Sequence, residues 1–350
     1  MNAVFAQVSF QFCGHLDEYL IRRADHVALF YMQTRFGKGG HCLKVYERGV
    51  LVGERRFSSH ASIPGYYFLW VWHWSVQLLK FARKHKKVTA IFTHPLGAFG
   101  MSARKRVQHV FWQWDYFPDR SLVSRLFNVV AKYYAKRCTK YFPLTNAIGS
   151  VMGAPDAPAL MLGVQKPVRY GDLSSRKLLL VGQLRQGQGI EEVLDFIKNE
   201  KMYSLSLVGA AAAGFEDVIN EIIAKYGIAE RVTFPNKFVT DEELRAEAAG
   251  CFASLAIYDT SSDNLTHFAD PGKVKSSVEL GLPVVMTRIS EIVPYVERFH
   301  AGVVVESFAD IKNALSDIAE HYESYCAGVE AFAKYFQYDR YYDNGRLLGE

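Results

Sequence analysis

Cysteine is scarce and unorganised. The five residues Cys13, Cys42, Cys138, Cys251 and Cys326 are scattered, with no CxxC and no Cys/His cluster at metal-ligand spacing. This excludes a disulfide scaffold or a zinc module and predicts reduced packing residues in a reducing compartment. No basic segment precedes the apolar stretch within residues 1–14, so no secretory signal is expected. No DxD-type carboxylate pair occupies a suitable loop, so neither a catalytic metal nor a cofactor is expected. Charged residues at 22% beside 49% hydrophobic ones exclude a disordered chain.

Acidic residues are also few, but only in the first half. Residues 1–175 hold 24 Lys+Arg against 9 Asp+Glu, a net charge of +15, whereas residues 176–350 carry a net −10. A basic half points to an anionic partner: a membrane surface, a phosphorylated lipid or nucleic acid. The basic runs Arg104-Lys105-Arg106 and Lys136-Arg137 bring no nucleic-acid recognition motif with them, so no nucleic acid is expected. The uncharged run 63–79 contains Tyr66, Tyr67, Trp70, Trp72 and Trp74 but falls short of the ~20 residues a spanning helix needs. Lys80, Arg83, Lys84, Lys86 and Lys87 follow at once. Aromatic bulk beside cations suits a helix lying in a membrane interface, and equally a core helix with a solvated basic end.

At 350 residues the length prior is about two domains. In the second half, short apolar runs (177–181, 205–208, 231–234, 252–257, 283–286, 302–305) alternate with helical patterns (190–197, 215–226, 241–248, 274–280, 291–298, 308–322). That alternation specifies βαβ units and a parallel sheet covered by helices. The first half is less regular, with strands expected at 27–31, 43–46, 88–92 and 110–114 and helices at 66–84 and 122–140. Three prolines and little periodicity place the interdomain linker within 155–175. The aromatic tail, with Tyr335, Phe336, Tyr338, Tyr341 and Tyr342, is expected to pack back on the first domain.

Three segments share an order and separation: LLLVGQLRQGQGIEEVLDFI (178–197), LSLVGAAAAG (205–214) leading to RVTFPNKFVTDEELRAEAAGCFASLAIY (231–258), and DPGKVKSSVELGLPVVMT (270–287). Over roughly 130 residues they resemble the donor domain of GT-B glycosyltransferases of the "group 1" type. The third is the most specific, with Lys273 followed by Gly281 and Pro283 ahead of a buried strand. The first half resembles the family only in outline, at Thr93-His94-Pro95 and Trp114-Asp115-Tyr116. The resemblance implies an α/β fold of two Rossmann-like domains, each a doubly wound parallel sheet, facing a cleft: residues 1–165 for the acceptor, 166–330 for the donor, 331–350 returning to the first. It implies transfer of a sugar from a UDP- or GDP-linked donor to a glycan or lipid-diphosphate acceptor, in cell-surface polysaccharide or glycoconjugate assembly. The expected setting is cytoplasmic, peripheral to the inner face of the membrane.

The residues permit this chemistry. Gly182, Gly187 and Gly189 allow backbone to approach a diphosphate where a strand enters a helix, and Gly209 does so at the next strand end. Lys273, ahead of a helix, and Arg185, in the Gly-rich turn, supply cations for the leaving group. Phe238, Asp241, Glu243, Tyr258 and Asp259 follow strands and reach toward the nucleoside, although Thr240 to Glu243 also reads as a helix cap. The family's two turn cations are Gln183 and Gln188 here, and its paired glutamates are Phe268 and Ser276, which removes the retaining signature. An inverting enzyme needs one base, for which Asp115 and then His94 are the candidates, with His15 and Asp17 on the acceptor side. The alternatives are a degenerate, non-catalytic partner or glycan-binding subunit, and a nucleotide-sugar epimerase on the same scaffold.

Overall fold

Runs such as LLLV at 178–181, apolar at every position, can be satisfied only in a sheet covered on both faces. A computed structural model describes residues 2–9, 14–32, 41–57, 66–103, 107–116, 121–168, 171–260 and 265–348. The basic run 104–106 and residues 63–65 lie outside the described residues. The chain divides into two compact units, one of Met1–Leu162 with Tyr338–Glu350 and the other of Gly163–Gln337.

In the first unit the strands are β1 (Ala3–Ser9), β2 (His26–Met32), β3 (Cys42–Glu47), β4 (Val50–Arg56), β5 (Val88–Phe92), β6 (Val107–Gln113) and β7 (Lys140–Pro143). Their order is β4-β3-β2-β1-β5-β6-β7. The five strands from β2 to β7 run parallel, and β3 and β4 add an antiparallel hairpin beyond β2. The hairpin turns at Arg48-Gly49, where φ of 48° and 82° suits a two-residue primed turn. Helices α1 (Leu16–Arg23), α2 (Tyr66–Lys84), α3 (Leu122–Arg137) and α4 (Asn146–Val151) belong to this unit. In α2 Trp70, Trp74, Leu78 and Phe81 are buried at helical spacing, so that stripe is core. In this unit two sequence boundaries move by more than one residue: β6 starts three residues earlier than expected, and α3 ends at Arg137 because Lys140 already begins β7.

The second unit is all parallel, in the order β10-β9-β8-β11-β12-β13. Its strands are β8 (Lys177–Val181), β9 (Ser204–Val208), β10 (Val232–Thr233), β11 (Ala253–Ala256), β12 (Val284–Thr287) and β13 (Gly302–Val305). Helices α5 (Ile190–Asn199), α6 (Phe215–Tyr226), α7 (Asp241–Ala248), α8 (Gly272–Glu279), α9 (Val293–Phe299), α10 (Ile311–Glu320) and α11 (Tyr322–Tyr335) alternate with them. Leu178, Leu180, Leu205, Leu207, Leu255 and Ile257 bury against Val193, Leu194, Ile197 and Leu315 on the helices. Tyr335 and Phe336 stay with this unit. The last helix, α12 (Tyr338–Asn344), packs in the first unit, where Tyr342 lies 5.1 Å from Trp112 and its hydroxyl donates to the Gly14 carbonyl at 2.5 Å.

Among the described residues, no helix is long and apolar enough to cross a membrane.

Candidate active site

Strand order reverses once in each sheet, and ligands of open α/β sheets bind where it does, beyond the carboxyl ends of the strands. In the second unit the reversal lies between β8 and β11.

The backbone there is built from glycines. Gly182 (φ 129°) ends β8 and its N–H donates to the Val208 carbonyl at 2.9 Å. Gly209 (φ 143°) ends β9 and lies so close that a side-chain carbon on it would fall inside the Gly182 carbonyl. The turn continues through Leu184, which pairs with Ala211, and reaches Gly189, where a side chain would collide with Ile257. The Gly187 carbonyl accepts from the Asp259 N–H at 3.1 Å, pinning the turn to the segment after β11. Gly189 caps α5 with φ 64° and no side-chain acceptor.

Lys273 enters this crevice from the first turn of α8. Its stem lies against Gly182, so that a side-chain carbon there would stand 3.3 Å from Lys273 Cε. The residue is only 7% exposed; its ammonium lies 5.1 Å from the Tyr258 ring centroid and has no hydrogen-bond partner among the described residues. Burial, assisted by the Arg185 charge, lowers its pKa to about 7. Ser277 Oγ donates to the Lys273 carbonyl at 2.7 Å and lies 2.7 Å from Ser254 Oγ, which ties α8 to β11. A buried ammonium without an acceptor is costly unless a ligand supplies one.

The structure therefore gathers Gly182, Gly209, Lys273, Tyr258 and Asp259 at one switch point, with Arg185 close enough for its charge to act on Lys273 and Tyr258. Phe238, Asp241 and Glu243 follow the edge strand β10, beyond β9. The Glu243 carboxylate is already engaged by the Thr240 N–H at 2.8 Å and by Lys237 Nζ at 2.7 Å, closing a capping box. For Glu243 the structural half of its sequence signal is the one the geometry displays.

One cluster was not anticipated from the sequence. Lys275 Nζ lies 3.5 Å from Asp270 Oδ2, both side chains are fully buried, and the ammonium sits 3.5 Å from the Phe336 ring centroid. Two residues apart on a helix, Lys273 and Lys275 point about 200° away from each other. One faces the crevice and the other locks α8 onto α11. Glu279 accepts from the Gln165 N–H at 2.8 Å, holding the segment that enters the unit.

In the first unit the order reverses between β1 and β5, and the remaining candidates follow β1, β5 and β6, which are adjacent. His15 caps α1 at φ 44°, with Nδ1 3.5 Å from Glu18 Oε1. Asp17 accepts from the Tyr31 hydroxyl at 3.2 Å. His94 sits in an aromatic box of Trp70, Phe127 and Tyr67, accepts the Leu96 N–H on Nδ1 at 3.2 Å, and burial drives its pKa down to about 3. Such a histidine stays neutral and is a weak base. Asp115 is solvent-exposed just beyond the end of β6. Of the two candidate bases, Asp115 is the accessible one.

Residues 229–344 match the family model "Glucosyltransferase 3-like, C-terminal domain", a third of the chain. No curated protein matches the sequence significantly. Among solved structures, the chain is similar to sucrose-phosphate synthase from Thermosynechococcus elongatus, with a TM-score of 0.72 at 13% identity over 99% of this chain and 98% of that one. It is also similar to Anabaena Alr3699/HepE in complex with UDP-glucose, with a TM-score of 0.67 at 14% identity over 98% of both chains. A UDP-forming α,α-trehalose-phosphate synthase from Burkholderia xenovorans aligns with a TM-score of 0.68 at 10% identity, over 99% of this chain and 98% of that one. The fold is GT-B, that of these glycosyltransferases.

Proposed function

We propose that this chain is a nucleotide-sugar-dependent glycosyltransferase whose second unit binds a nucleoside-diphosphate sugar at the β8/β11 switch point. The observation that carries the reading is Lys273, a buried ammonium with no acceptor among the described residues, beside the Tyr258 ring and against Gly182. A diphosphate would supply the missing acceptor oxygens, and the glycine-lined strand ends let backbone N–H groups reach the same anion. Lys273 stabilises the leaving nucleoside diphosphate as the glycosidic bond breaks, with Arg185 as a second cation at the rim. The GT-B fold and the family match at 229–344 support this chemistry.

Asp115 acts as the base in this reading. It takes the proton from the acceptor hydroxyl as that oxygen attacks the anomeric carbon and the sugar–phosphate bond breaks, which inverts configuration. UDP is the favoured nucleotide, because Alr3699/HepE binds UDP-glucose and the Burkholderia synthase forms UDP. The acceptor is a glycan or lipid-linked glycan in cell-surface assembly. The basic first half faces it at a membrane surface, on the cytoplasmic side.

The test is turnover. Incubation with UDP-glucose, UDP-galactose, UDP-N-acetylglucosamine and GDP-mannose, with a lipid-diphosphate glycan and free glycans as acceptors, should release one nucleoside diphosphate and add the mass of that donor's sugar residue to one acceptor. Nucleotide binding without transfer on any acceptor would favour the degenerate partner subunit, for which the neutral Gln183 and Gln188 in the phosphate turn are the supporting observation.

A further inference from the structure

A soluble helix usually hides its apolar stripe; α3 has two, and exposes one. Phe127, Ala131 and Tyr134 are buried against the first unit's core. On the opposite side Leu122, Leu126, Val129 and Tyr133 are 84%, 59%, 64% and 49% exposed. Their spacing of four, three and four residues aligns them along one face. Arg125, Lys132 and Lys136 border that stripe, and the Arg137 guanidinium lies 4.7 Å over the Tyr133 ring. Helix α2 meets α3 through Tyr67 and Phe127, 5.6 Å between ring centroids, and contributes exposed Phe68 and Trp72 with Lys80, Arg83 and Lys84 at its basic end. Neither helix contains an acidic residue.

We propose that the exposed face of α3, with the adjoining side chains of α2, docks on an anionic lipid bilayer. Exposed apolar side chains in contiguous rows mark interaction surfaces, and a cationic border with interfacial Trp and Tyr fits lipid headgroups. The apolar ridge enters the acyl boundary while Arg125, Lys132 and Lys136 meet lipid phosphates. A second copy is the poorer occupant, since an isologous contact would set two wholly cationic faces against each other. The inference deepens the membrane-facing part of the proposed function and rests on none of the donor chemistry. Vesicle binding, read without nucleotide, fails or succeeds separately from transfer.

The experiment is cosedimentation of the full chain with phosphatidylcholine vesicles, and with vesicles in which about a third of the lipid is phosphatidylglycerol. The expected result is partition onto the anionic vesicles alone, weakened by salt. The exposed double variant Leu126→Glu/Val129→Glu should lower partition at least tenfold with its melting temperature unchanged, and Arg125→Gln/Lys132→Gln should lower it less. Failure of the wild type to partition overturns the proposal, as does equal partition by the Glu variant. It is also overturned if the wild type is a dimer that the Glu variant dissociates while vesicles bind neither; the face is then a protein interface.

Discussion

The ammonium of Lys273 stands 5.1 Å over the ring of Tyr258, buried and without a hydrogen-bond acceptor among the described residues. The ring face offers weak attraction that does not replace hydration. The unliganded protein therefore bears a cost that an anion would relieve, and opposite effects on stability and binding follow. Lys273→Met should raise the unliganded protein's stability at pH 7 by about 1 kcal/mol or more. The same variant should weaken UDP binding by about ten- to a hundredfold, the loss of one or two charge-assisted bonds. Thermal unfolding and calorimetric titration measure the two effects.

The pH dependence has a definite sign. Lys273 titrates at about 7 in the folded protein against 10.5 for an ordinary lysine, so between those values the unfolded chain holds a proton that the folded one lacks. Its contribution makes stability rise with pH through that window. A bound diphosphate restores the charge, so binding near pH 8 should take up as much as one proton. Titration in buffers of differing ionisation enthalpy reads that uptake, and Lys273→Met should abolish it.

Two glycines of the same site should respond differently. At Gly209 a side chain meets the Gly182 carbonyl and φ is 143°, so Gly209→Ala should cost at least about 3 kcal/mol and lower the melting temperature sharply. Gly187 has open space around it and φ 78°, so Gly187→Ala should cost about 1 kcal/mol. Urea unfolding of both variants makes the comparison.

Lys275 provides a control against Lys273. Its ammonium is paired with Asp270 and rests on Phe336, so Lys275→Ala should destabilise the fold by about 3–5 kcal/mol by stranding the buried partner. Two lysines on opposite faces of one helix then have opposite effects on unliganded stability, measurable by the same melts.

In the first unit, Asp115→Asn should lower kcat about a hundredfold or more and leave the nucleotide Kd unchanged. His94→Gln should act on stability through its aromatic box, without removing a limb of the pH–rate profile.

The second unit was the more legible half because its strands are short, mostly apolar runs and each is followed by a separate helical pattern. KLLLV and GVVV were located to the residue, as were 215–226 and 241–248. The first unit hid β1, whose segment is continuous with the apolar start of the chain, and β4, most of whose residues are solvent-exposed and show no alternation. The tail read as an aromatic stretch but not as α11 and α12, because aromatic residues fill several faces at once and blur the helical period. At the site, glycines and Lys273 were visible because their chemistry depends on local sequence. The Lys275–Asp270 pair was not, because burial of a charged pair is decided by Phe332 of α11 and by Phe336 just after it, far along the chain.

The second unit should hold a nucleoside diphosphate on Lys273. The most direct test is calorimetric titration of the wild type and Lys273→Ala with UDP and GDP. The wild type should bind one nucleotide one-to-one, and the variant, still folded, should lose at least about tenfold in affinity. Equal affinity in the two proteins, or no binding of either nucleotide by the wild type, would contradict it.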